Sequence, residues 1–78
     1  MQLADVHKCF FSYADSQGVS YSRFPLDTDI DEFGAPYIEI STAGKIAIVA
    51  RDHGQECMRK ETSSPEEMAK WVFELFNN

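Results

Sequence analysis

Seventy-eight residues with 44% hydrophobic content, including six Phe, three Tyr and one Trp, are too apolar for a disordered chain and make one domain, residues 1–78. A folded surface of roughly 4,800 Å² leaves room for one core and argues against a deep catalytic cleft. The formal net charge of −6 argues against nucleic acid as a partner, because that surface needs Lys and Arg to displace counterions. No run approaches the ~20 apolar residues of a membrane span.

In "LADVHKCFFSYA", Leu3, Val6, Phe10, Phe11 and Ala14 recur at helical spacing, which predicts a first helix with an apolar stripe. "DSQG" closes it, with Gly18 as the left-handed stop. The same N-terminal stretch has no basic region and no small-residue cleavage site, so no secretory signal is read and a cytoplasmic location is expected. Residues 19–35 mix Ser, Asp, Gly and Pro. They read as an irregular segment lying across the body, pinned by Phe24, Ile30 and Phe33.

Strands follow. Ile38 and Ile40 alternate with Tyr37, Glu39 and Ser41, the pattern of a half-buried strand. Gly44 supplies a tight turn, residues 45–51 form a second strand, "DHG" turns again, and residues 55–61 form a more polar third. In the last segment Ser64 is a helix cap, Pro65 suits the first helical position, and Glu67 completes a capping box. Met68, Trp71, Val72, Leu75 and Phe76 make its apolar face, with Phe73 off that stripe at a rim or contact surface. The expected fold is α+β, in the order α-β-β-β-α: a three-stranded antiparallel meander packed against two helices. The other sheet face is left to solvent or to a partner.

Charge is unevenly placed. Between residues 24 and 44 stand Asp27, Asp29, Asp31, Glu32 and Glu39 with no Lys or Arg, while the rest of the chain holds eight acids against seven bases. "DTDIDE" begins like a calcium loop, but the sixth position is Glu32 where Gly is needed, and the twelfth is Ile38 where a bidentate Glu is needed. Cys9 and Cys57 form no metal spacing with His7 and His53 and read as reduced thiols. No nucleophile elbow and no Gly-rich phosphate loop occurs. Neither enzymatic activity, a metal nor a cofactor is expected. Phe33, Tyr37 and Ile30 stand among the acids, as aromatics do at the centre of a protein interface whose rim charges steer association.

Several pieces of the chain share the order and spacing of a known family: Phe33, Gly34, Pro36, Ile38 and Glu39, then a hydrophobic strand, then Gly54, Gln55 and Glu56, and the helix run Trp71 to Glu74. Over about residues 20–76 the chain resembles the Immunity protein 63 family of bacterial polymorphic-toxin systems. The resemblance implies a cytosolic antidote that neutralises a delivered toxin domain; no residue role is carried over from it. Many such toxins are nucleases with basic clefts, which an acidic antidote can occlude. The candidate partner-binding residues are Asp27, Asp29, Asp31, Glu32 and Glu39 for charge, with Phe33 and Tyr37 as anchors. Replacing the first four acids by Asn and Gln is expected to slow association and leave the fold untouched. The chain is expected to be a monomer or weak homodimer. Two alternatives stay open: a phage-encoded DNA mimic that inhibits a restriction or CRISPR complex, and a self-associating scaffold module.

Overall fold

A computed structural model describes residues 2–41 and 43–77. Helix α1 (Leu3–Ser16) is followed by strands β1 (Tyr37–Ile40), β2 (Ile46–Asp52) and β3 (Gln55–Thr62), and by helix α2 (Pro65–Phe76). The strands form an antiparallel meander in the order β1-β2-β3. The expected α-β-β-β-α order and its sheet are therefore present. No helix among the described residues is long and apolar enough to cross a membrane.

α1 begins where the Asp5 carboxylate accepts the Gln2 N–H at 3.1 Å. It ends at Gly18, whose φ of 74° is the left-handed conformation foreseen for the stop. Val6, Phe10 and Ala14, spaced by four, are its buried face. At α2 the Ser64 hydroxyl accepts the Glu67 N–H at 3.2 Å, but the second half of the expected capping box is replaced by a relay. Glu67 takes the Thr62 hydroxyl at 2.6 Å, and Thr62 Oγ1 accepts the Ser64 N–H at 3.0 Å.

Both helices cover one sheet face. Ile38, Ile46 and Ile48 from the strands meet Val6, Phe10 and Ala14 of α1 and Met68, Ala69, Val72 and Phe73 of α2. Phe10 is the centre of an aromatic group: Tyr21 and Phe24 stand edge-on to it at 4.9 and 5.2 Å between centroids. His7 stacks on Phe24 at 4.3 Å. Burial of this many large side chains, each contributing roughly 1.5–3 kcal/mol, supplies most of the drive to fold.

Three expectations are corrected here. Phe73 is in the core, against Phe10 and Tyr13, because α2 faces α1 as well as the sheet; the buried face is Met68–Ala69–Val72–Phe73, and Leu75 and Phe76 are exposed. Trp71 is half-buried, with the Lys60 ammonium over its ring at 4.3 Å. The irregular segment is held down by Tyr21, Phe24 and Leu26; Ile30 and Phe33, read as pins, are exposed.

The second sheet face is not bare. Tyr37, Ala47 and Val49 are buried there as a small cluster of their own. The register sets Tyr37, Val49 and Arg59 in one cross-strand row, and Glu39, Ala47 and Glu61 in the next. The ladder slips between Ala50 and Arg51, where Ala50 pairs with Met58 but Arg51 pairs with Glu56. Cys57 is the extra residue, and this bulge turns Glu56 to the face that carries Arg59. Arg59 then bridges two acids, Glu39 at 2.6 Å and Glu56 at 2.8 Å.

Candidate functional site

The acidic residues divide into those the fold uses and those it leaves to solvent. Asp27 Oδ1 accepts the Asp29 N–H at 3.0 Å. Asp31 Oδ1 accepts the N–H groups of Phe33 and Ala35 at 2.7 and 3.1 Å. These are local side-chain turns that an Asp makes cheaply in irregular backbone. Glu32 acts over a longer range: Oε2 meets Arg51 Nε at 3.2 Å and Oε1 accepts the Gly54 N–H at 2.9 Å. Glu39 is held by Arg59, whose hydrogen bond keeps the Glu39 carboxyl below its ordinary pKa and pushes the guanidinium's up.

Two of the five acids are thus paired with arginines, Glu32 with Arg51 and Glu39 with an Arg59 that it shares with Glu56. The negative excess of the window comes down to Asp27, Asp29 and Asp31. None of the three is in an ion pair among the described residues, and Asp29 also receives no hydrogen bond there. No group of three His, Cys, Asp or Glu among the described residues is placed to hold a metal.

Beside these aspartates lies a shallow groove of about 290 Å³ lined by Thr28, Ile30, Tyr37, Ile38, Glu39 and Ile40. Side chains of a strand alternate between faces, so a groove touched by four consecutive residues runs along the strand's edge. β1 is one of the two edge strands, and the loop carrying Thr28 and Ile30 forms the opposite wall. Ile30 is 69% exposed and Ile40 50%. Phe33, 85% exposed, pairs with Asp52 through the backbone and continues the line of β1 past its first residue.

Of the seven residues assigned to binding, the structure brings Asp27, Asp29 and Phe33 to this edge exposed and Asp31 half-buried. Glu32 and Glu39 are there too, but committed to arginines. Tyr37 is corrected: at 4% exposure it belongs to the second apolar cluster and the floor of the groove, and offers no projecting anchor. Ile40 and Thr28 were not foreseen. Strand periodicity puts Ile40 with Ile38 in the core, but α2 lies over β2 and β3, and the end of an edge strand falls outside that cover. An edge assignment for the shortest strand is the signal that could have found Ile40.

No family model, curated protein or solved structure matches this chain.

Proposed function

We propose that the chain is an immunity-type protein that binds a basic toxin domain, most simply a nuclease, and neutralises it by covering its active site. The observation that carries this reading is the make-up of the β1 edge. Exposed Ile30 and Ile40 line a groove beside the Asp27–Asp31 loop, exposed Phe33 stands at the other end of the same edge, and among the described residues the three aspartates are in no ion pair. An apolar centre with a charged rim of one sign is how protein interfaces combine affinity with fast, steered capture. A standard interface takes ~800 Å² from each partner, about a sixth of the 4980 Å² surface of this protein. The sequence resemblance to Immunity protein 63 is consistent with this use, and cytoplasmic placement, where a delivered toxin would act, is part of the proposal.

The mixed character of the surface favours this reading over a DNA mimic. A phosphate mimic needs an array of uncommitted carboxylates, whereas Asp27, Asp31, Glu32 and Glu39 all accept hydrogen bonds within the chain.

The test is genetic and kinetic. The reading frame next to this gene is expressed with and without the chain, and with a variant in which Asp27, Asp29 and Asp31 become Asn, which keeps their acceptor oxygens. The expected result is toxicity relieved by the wild-type chain, with an association rate that falls steeply with salt for the wild type and shallowly for the variant. A neighbour that is harmless, or that forms no complex with the chain, overturns the proposal.

A further inference from the structure

We infer that the outer edge of β1 receives an extended segment of the partner, bearing Lys or Arg, as a fourth strand of the sheet. This rests on the acidic-surface reading above and adds the manner of contact. The backbone carries the argument. The Ile38 N–H points away from β2, since it donates to the Asp27 carbonyl at 2.8 Å. Alternation along an antiparallel strand turns the N–H and C=O of Ile40 to the same outer side, and among the described residues no backbone group outside the ladder partners them. The edge is therefore tied down at Ile38 and open at Ile40.

Side chains fit the same occupant. A strand laid against Ile40 directs alternate side chains into the groove beside it. There Ile30 and Ile40 form an apolar rim over Tyr37 and Ile38, and about 290 Å³ holds one or two aliphatic side chains. The Asp27–Asp31 loop borders the groove through Thr28 and Ile30, so Lys or Arg on the added segment is complementary to its aspartates. A second copy is a poor occupant, because each chain carries −6 and pairing edges would bring like carboxylates together. The opposite edge is closed to such addition: β3 bears charges of both signs and the bulge at Cys57, the usual guards of an edge strand.

The test uses the full chain and three blocked synthetic nonapeptides, followed by amide NMR at low salt. One alternates Lys and Val, one is the same peptide N-methylated at every peptide bond, and one carries Glu for Lys. The expected result is shifts centred on residues 38–41 with the Lys–Val peptide. Affinity should fall at least tenfold for the methylated peptide and for an Ile40→Pro variant, with no binding of the Glu peptide. If Ile40→Pro does not fold, the methylated peptide carries the comparison on the unaltered chain. Equal binding of both cationic peptides, with shifts confined to residues 27–31, overturns strand addition and leaves the acidic-surface reading standing. No binding of the Lys–Val peptide overturns both. Concentration-dependent shifts at β1 without peptide make a second copy the occupant and overturn the inference.

Discussion

The Glu32 carboxylate reaches the Gly54 N–H at 2.9 Å, across 22 residues of chain, while its other oxygen holds Arg51. Arg51 in turn donates to the Gly54 carbonyl at 2.9 Å, and the backbone carbonyl of Glu32 accepts the His53 N–H at 2.9 Å. The Glu32 side chain thus works together with backbone bonds on either side of Phe33 (His53 N–H to the Glu32 carbonyl, Gly34 N–H to the Arg51 carbonyl) to fasten the irregular loop to β2 and its turn.

Glu32→Ala should cost about 1 kcal/mol, the scale of a half-exposed charge-assisted hydrogen bond. It should also speed hydrogen exchange at the Gly54 amide. Glu32→Gln should keep the Gly54 bond and weaken the Arg51 one, giving an intermediate loss in a denaturant titration. An unchanged Gly54 exchange rate in the Ala variant would show that the loop is held by other contacts. Replacing Asp27, Asp29, Asp31 and Glu32 together by Asn and Gln should therefore show its stability cost, if any, at Glu32, since Asn keeps the acceptor oxygens that Asp27 and Asp31 use.

Phe73→Ala should destabilise by about 3–5 kcal/mol, a large part of the stability available to a domain this small. Phe76→Ala, at a half-exposed position, should stay within about 0.5 kcal/mol. Thermal or denaturant unfolding of the two variants side by side decides it, and equal losses would refute the buried face assigned to α2.

The Glu39–Arg59 pair gives a pH dependence of known sign. The folded-state pKa of Glu39 lies below its ordinary 4.5, so the contribution of the ionised carboxylate is fully present above that value and is lost as pH falls through the folded pKa. Melting temperatures of the wild type and Glu39→Gln should differ at neutral pH and converge in the acid range below 4.5. A gap that persists unchanged at low pH would mean that the carboxylate's charge is not what Arg59 responds to.

The β2–β3 turn places both central residues at positive φ, His53 at 52° and Gly54 at 82°, the two-residue hairpin geometry in which Asn-Gly is favoured. His53→Asn should stabilise by roughly 0.5 kcal/mol, since Asn adopts this conformation more readily. Chemical denaturation with an unchanged m-value is the check. Destabilisation by Asn would assign weight to the 2.6 Å contact between His53 Nδ1 and Asp52 Oδ1.

What could be read from the chain was whatever depends on near neighbours. The start of α2 is announced by Ser64 and Pro65, the stop of α1 by Gly18, and the meander by glycines between short apolar runs. Misreadings arose where a residue's surroundings come from distant segments. Leu75, seven and three residues from Met68 and Val72, fits their stripe better than Phe73 at five and one, and only the approach of α1 against Ala69 and Phe73 reverses that order. Glu32 looks like any loop acid until the turn at Gly54 folds to meet it. Tyr37 looks like an anchor among acids because nothing in its own stretch shows that Val49 and Arg59 will line up beside it.

The extra residue at Cys57 has a consequence for assembly. On the strand addition proposed above, this molecule offers one margin and guards the other, so copies of it would not propagate a sheet through themselves: the proposal makes it a capping unit, suited to sequestering a neighbour.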